Sequence, residues 1–327
     1  MFFLKPSFLF IYQLWSRFSL QALRCAAGLS ATIGARSSSA VPCGSKIQTA
    51  APLIGYNPPL PRAWQFWTLP LFAMAGILLF SAGVSAQPLQ TATDTVTLGD
   101  SKIRFARTNP GPQPGVQFLH VHENEATAVA AAKTMLGKTK KGSFVTWQCQ
   151  QDRYVQFKLS GQTFKFDPNR IYTDAGAAAT LDSNGPLTPQ ALTALRAVAQ
   201  GFTTQYVDGM KLVVALHNNT DGGGLSIKSY AKGGVYAAEA QAVHCSPKWD
   251  DDDFFYTTNP GIFQYFADQG FNIVLQNNST VTDDGSLSVY AGKKGIHYLN
   301  VEAQHGHQKQ QGKMLDAVQK LILAQYQ

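Results

Sequence analysis

Val116-Gln-Phe-Leu-His-Val121 stops at His122-Glu-Asn-Glu125, and Ala126-Thr-Ala-Val-Ala-Ala-Ala-Lys-Thr-Met-Leu136 follows, ending near Gly137. The first six residues form a short β-rich run. The last eleven are dense in Ala, with Met and Lys at helical spacing. The pattern predicts strand, loop and helix, with a polar tetrapeptide at the carboxyl end of the strand.

The same alternation continues along the chain. Ser143–Gln148 and Tyr154–Leu159 read as further strands, and Thr163-Phe-Lys-Phe166 leads into Asp167-Pro168-Asn169-Arg170. Thr188-Pro189 signals a helix start, Thr as cap with Pro in the first turn, for a helix running to about Gln200. Lys211-Leu-Val-Val-Ala-Leu216 is a near-continuous apolar run ending at His217, as expected of a buried parallel strand. Phe271-Asn-Ile-Val-Leu275 looks like another, and Tyr298-Leu-Asn-Val301 is a third, ending at Glu302. Lys313–Tyr326 predicts a C-terminal helix with Leu315, Val318, Leu321, Ile322 and Ala324 on one face. Strands alternating with helices predict an α/β fold with a mixed, largely parallel sheet flanked by helices. The Gly-rich segments from Asn218 and from Asn277 echo each other and read as similar turns after adjacent strands.

The 327 residues are 45% hydrophobic, enough to bury a sizeable core, and carry a formal charge of +7. Six of the basic residues (Lys5, Arg17, Arg24, Arg36, Lys46, Arg62) lie in residues 1–86, which contain no Asp or Glu. The remainder is nearly neutral, which argues against nucleic-acid binding. Residues 1–62 read as a basic extension, a disordered segment or one from a misassigned start, with an organelle-type transit segment as the alternative. Residues 63–86 hold the apolar run Leu-Phe-Ala-Met-Ala-Gly-Ile-Leu-Leu-Phe80 and end in Val84-Ser85-Ala86. This predicts a signal peptide cleaved after Ala86, the alternative being an uncleaved membrane anchor. Residues 95–327 then form the folded domain of an exported, periplasmic or secreted protein. Of the four cysteines, Cys149 and Cys245 remain after processing and are consistent with one disulfide.

Three predicted strands end at residues suited to a hydrolytic metal site, and ligands of open α/β sheets bind beyond the carboxyl ends of strands. His122 and Glu125 have His-x-x-Glu spacing, and His217 supplies a third ligand. Two imidazoles and one carboxylate leave a zinc coordination position open, the catalytic rather than the structural arrangement. Glu302 is the candidate general base. His120, one alternation from His122, is a reserve ligand. His305 and His307 read as a polar loop or as pocket residues. Asp250–Asp253 reads as a solvated acidic loop, and Tyr256 as a candidate substrate-contacting phenol.

His122-Glu-Asn-Glu125, Asp167-Pro-Asn-Arg170, Leu216-His217 and Val301-Glu302-Ala, in this order over residues 116–307, resemble the zinc carboxypeptidase superfamily. Within it the pattern is most similar to the succinylglutamate desuccinylase/aspartoacylase branch, with its His-Gly-Asn/Asp-Glu, Asp-Leu-Asn-Arg, Asp-Leu-His and late Glu. The resemblance implies Zn2+ on His122, Glu125 and His217, with Glu302 as general base. It implies that Asn169 and Arg170 grip a substrate carboxylate and that Arg153 polarises the scissile carbonyl. Glu123 stands in place of Gly, Pro168 in place of Leu, and Ala215 where an Asp often backs the second histidine. The expected function is hydrolysis of an amide or peptide bond beside a carboxylate, in a small peptide or N-acyl amino acid, with cell-wall peptides suggested by export. The alternative is a catalytically inactive carboxylate- or peptide-binding module on the same fold. Contact with a membrane is expected only through an uncleaved leader.

Overall fold

The computed structural model describes Leu89 and residues 91–327. The extension and the signal or anchor segment expected over 1–86 lie outside these residues. Among the described residues no helix is long and apolar enough to cross a membrane.

Nine strands make one mixed sheet in the order β1 (Thr91–Leu98), β2 (Ser101–Gly111), β4 (Gly142–Gln148), β3 (Val116–His120), β7 (Leu212–Asn219), β11 (His297–Gln304), β9 (Phe254–Thr257), β10 (Ile273–Gln276) and β8 (Ala240–His244). Strands β4, β3, β7 and β11 run parallel through the centre, where every residue of β3 and β7 is buried. Burial on both faces is why these strands read as unbroken apolar runs. Strands β9 and β10 are parallel to each other but run against β11, and the β1–β2 hairpin and β8 close the edges in antiparallel pairing. The segments after β7 and β10 therefore do not follow adjacent strands, because β11 and β9 lie between them. A second hairpin, β5 (Val155–Leu159) with β6 (Gln162–Phe166), stands apart from the main sheet.

Seven α-helices are present among the described residues: α1 (Ala126–Thr139), α2 (Asp174–Asn184), α3 (Pro189–Tyr206), α4 (Ile227–Tyr230), α5 (Pro260–Asp268), α6 (Leu287–Lys294) and α7 (Gln308–Gln325). Thr188 caps α3 by accepting from the Ala191 amide, with Pro189 in the first turn. The helix continues past Gln200 to Tyr206 because Phe202 and Tyr206 keep its buried stripe going into a cluster with Phe105 and Trp147.

Two cores result from the period-2 alternation of the central strands. On one face Val214 and Leu216 of β7, with Leu299 and Val301 of β11, pack under α1, α5 and α7. On the other, Leu119, Val213 and Ala215 pack with α2 and α3. That second layer reaches β11 only at Tyr298, and the outward positions Asn300, Glu302, Phe254 and Tyr256 line, with Tyr298, a cavity of about 710 Å³.

Cys149 and Cys245 are both free. They follow β4 and β8, six strand spacings apart in the sheet, or roughly 29 Å at ~4.8 Å per spacing, far beyond disulfide reach.

Candidate metal centre

Register explains how residues far apart in sequence meet. Glu302 is the direct cross-strand partner of His217 in the parallel β7–β11 pair, so both side chains leave the same face of the sheet. Both residues fall inside their strands rather than just beyond them. His122 and Glu125 come from the turn between β3 and α1, where the Glu125 amide donates to the His122 carbonyl at 3.0 Å. Asn218 braces this turn from β7: its Oδ1 accepts from the Ala128 amide in the first turn of α1 (2.8 Å), and its own amide donates to Glu125 Oε2 (3.1 Å). Asn218 thereby satisfies one of the orphan donors of that helix end.

The donor atoms of His122, Glu125 and His217 lie within 4.8 Å of one another, and all three residues are buried. His122 Nδ1 is 2.8 Å from Glu125 Oε1 and 3.2 Å from His217 Nδ1, and His217 Nδ1 is 3.1 Å from Glu125 Oε2. On its far side His122 Nε2 donates to Asp167 Oδ1 at 2.7 Å. A neutral imidazole carries one N–H, so this bond leaves a lone pair on Nδ1, aimed at the other two ligands. Positive charge reconciles these converging groups, either a proton on His122 Nδ1 shared with Glu125 or a metal ion between the three residues. Burial alone would lower the His122 pKa, but the Glu125 and Asp167 carboxylates override it and raise it to about 9. Burial would likewise raise that of Glu125, yet the two histidines hold it well below the usual carboxylate range. The site favours positive charge, and the donor set of two imidazoles and one carboxylate fits zinc with a coordination position to spare.

Asp167, from the end of β6, was expected only as part of a substrate-gripping turn. It backs a candidate metal-binding histidine instead. Its Oδ2 also accepts from Arg153 Nη2 at 3.1 Å, and its Oδ1 from the Asn169 amide at 2.8 Å. An outer carboxylate is thus present despite Ala215, but on His122 rather than on His217, whose Nε2 has no partner among the described residues. Ala215 itself is packed between Leu119 and Asn300 as their cross-strand neighbour.

All the expected site residues, His122, Glu125, His217, Glu302, Arg153, Asn169 and Arg170, line the one cavity. Arg153 is half-engaged: Nη1 donates to Glu125 Oε1 at 3.2 Å, and the side chain remains 38% exposed. Arg170 donates to the Asn169 carbonyl (2.7 Å) and stands 3.5 Å from Asp284. Asn169 Oδ1 accepts from the Leu287 amide at the start of α6 (3.1 Å). Glu302 is 3% exposed and accepts from Asn300 Nδ2 at 2.9 Å. Burial, reinforced by the charge of Glu125, raises its pKa.

His120 does not join the cluster. It alternates to the opposite face of β3, where its ring lies 6.4 Å from that of Phe144 and its Nε2 meets the Glu125 carbonyl. Burial lowers its pKa to about 4, so it is a neutral core histidine. His305 lines the cavity, whereas His307 is paired with Asp253 at 3.1 Å. Asp252 and Asp253 are buried, the latter also accepting from the Gln304 amide, so the acidic run is partly a structural brace rather than a solvated loop. Tyr256 does line the cavity.

Gln311 of α7 was absent from the sequence expectations. It is fully buried and donates to the backbone carbonyls of His217 (3.0 Å) and Val301 (3.3 Å), while its Oε1 accepts from Asn218 Nδ2 (3.1 Å). It ties together the two strands that carry His217 and Glu302. The only sequence signal was a polar residue one turn before the apolar stripe of a helix.

No protein-family model matches the chain, and no curated protein matches it in sequence. Solved structures match it at low identity. The succinylglutamate desuccinylase from Chromobacterium violaceum is 10% identical, with 72% of this chain and 70% of that chain covered at a TM-score of 0.36. An aspartoacylase family protein from Mesorhizobium loti is 10% identical over 72% and 66% of the two chains at a TM-score of 0.34. Thrombin activatable fibrinolysis inhibitor is 10% identical over 70% and 68% at a TM-score of 0.37. Likenesses this distant carry no argument about activity, which rests on the chain's own residues.

Proposed function

We propose that this chain is a zinc-dependent hydrolase cutting an amide or peptide bond next to a carboxylate, in a small peptide or an N-acyl amino acid. The observation that carries the reading is the convergence of His122 Nδ1, His217 Nδ1 and the Glu125 carboxylate at a cavity that also contains the buried carboxylate of Glu302. Zinc held by these three residues would supply Lewis acidity toward a carbonyl oxygen and a water molecule. Glu302 accepts the proton of the attacking water and passes it to the leaving amine, a task suited to a carboxylate whose basicity burial has raised. Asp167 holds His122 in the tautomer that presents Nδ1. Arg153 lies beside the metal ligands, with donors left over for the oxygen that gains negative charge. Asn169 and Arg170 line the cavity and bind the substrate carboxylate, Arg170 exchanging Asp284 for it.

Export through a cleaved leader places the enzyme in the periplasm or outside the cell, where cell-wall peptides are the natural candidates; an uncleaved leader would anchor it to the membrane. The alternative, an inactive carboxylate-binding module, keeps Asn169 and Arg170 but has no use for Glu302. Glu302→Gln separates the two readings on a panel of N-acyl amino acids and short peptides. Zinc content is expected to stay unchanged while turnover falls by ~10²- to 10⁴-fold. Full activity in Glu302→Gln would refute the mechanism.

A further inference from the structure

We propose that Glu123 is a positioning residue whose carboxylate fastens the loop between β4 and β5 to the metal-binding turn and so sets Arg153 against the site; its catalytic consequence rests on the hydrolase reading above. Glu123 sits between the ligands His122 and Glu125 in sequence, yet its side chain turns away from them. Its Oε2 accepts from three consecutive backbone amides, Cys149 at 2.7 Å, Gln150 at 2.8 Å and Gln151 at 2.8 Å. Successive N–H groups converging on one oxygen form an anion nest. The backbone at Gln151 adopts φ 55°, a left-handed conformation that lets the loop curl around the carboxylate. Among the described residues these three amides have no other acceptor.

The far side of the loop is fixed separately. Gln150 Nε2 donates to the Gln156 carbonyl (2.7 Å), and the Gln156 amide donates to Gln150 Oε1 (2.8 Å), so the curl is locked to β5. Two residues beyond the nest, Arg153 reaches back to Glu125 Oε1 at 3.2 Å and Asp167 Oδ2 at 3.1 Å. One tetrapeptide, 122–125, therefore holds the same loop twice, by its backbone through Glu123 and by its guanidinium through Glu125. An arginine side chain loses considerable rotamer freedom when fixed at both nitrogens, and the nest removes the backbone part of that cost beforehand. A small residue at position 123 would leave the three amides without their acceptor.

The test uses the full chain carrying Glu123→Ala, Glu123→Gln, Arg153→Ala and the Glu123→Ala/Arg153→Ala pair. Trypsin cleavage after Arg153 under native conditions reads the loop directly and needs neither metal nor substrate. Glu123→Ala is expected to speed cleavage at this bond by on the order of tenfold, with the unfolding midpoint as control for global loosening. Glu123→Gln, which keeps an acceptor oxygen, should fall between wild type and Glu123→Ala. On the N-acyl amino acid of the panel that turns over fastest, Glu123→Ala should lower kcat/KM by ~10- to 100-fold with zinc content unchanged. Arg153→Ala should lose at least as much, and the pair no more than Arg153→Ala alone, because Glu123 acts through Arg153. Unchanged cleavage after Arg153 in Glu123→Ala, or losses that multiply in the pair, would overturn the proposal. Absence of any wild-type hydrolysis would refute the hydrolase reading instead, and the cleavage rates would still decide the role of Glu123.

Discussion

Replacing Asp167 by Asn tests whether the outer carboxylate, and not only the three ligands, builds the metal centre. The substitution keeps shape and one acceptor oxygen but removes the charge. Three donors meet this carboxylate: His122 Nε2 at 2.7 Å, the Asn169 amide at 2.8 Å and Arg153 Nη2 at 3.1 Å. A hydrogen bond to an ionised group is roughly twice as strong as a neutral one, so the His122 bond alone weakens by about 1–1.5 kcal/mol. The new amide also turns a donor toward either Arg153 or His122, since its two ends cannot both accept. Together these effects predict a loss of about 1.4–2.7 kcal/mol, a 10- to 100-fold rise in the zinc dissociation constant. The assay is competition against a fluorescent chelator at fixed pH and salt, with His122→Ala as the zero reference. A dissociation constant within twofold of wild type in Asp167→Asn would refute the claim that Asp167 fixes the His122 tautomer.

Two further predictions concern the frame around the site. Gly176 of α2 lies so close to Gly285 that a Cβ there would come 2.2 Å from the Gly285 Cα, and the Arg170 carbonyl lies against the same contact. Gly176→Ala is expected to cost about 1–3 kcal/mol, read as a lower urea midpoint at unchanged slope. Burial alone would raise the pKa of Asp283, but Lys293 Nζ and Thr173 Oγ1 bonded to its carboxylate bring it below its ordinary value. A depressed folded-state pKa gives stability that is present above the unfolded value of about 4 and lost as pH falls through the folded one. Asp283→Asn should therefore unfold earlier than wild type at pH 7, and the gap should close in a series of midpoints taken below pH 4.

Much of the site could be read in the sequence because its ligands end or interrupt apolar runs, and strand alternation then sends His217 and Glu302 to one face. The same alternation, applied to a strand that actually stops at His120, puts that residue on the other face, which the spacing from His122 concealed. Asp167 was visible only as a turn residue, since its partner His122 is 45 positions away and meets it only through the β5–β6 hairpin. The β1–β2 hairpin carries a local signal, polar and apolar residues alternating on both sides of Leu98-Gly99-Asp100-Ser101. The apolar stripe predicts a helix only from Lys313, whereas α7 begins at Gln308, and the polar Gln311 is buried to satisfy strand carbonyls rather than to fill a core. Buried polar braces of this kind have no periodicity of their own.

Zinc stoichiometry on the purified chain, wild type beside His122→Ala, tests the central claim most directly. The arrangement of His122, Glu125 and His217 predicts about one zinc per chain, lost in His122→Ala. No zinc in the wild type after metal is supplied, or equal zinc in both proteins, would contradict it.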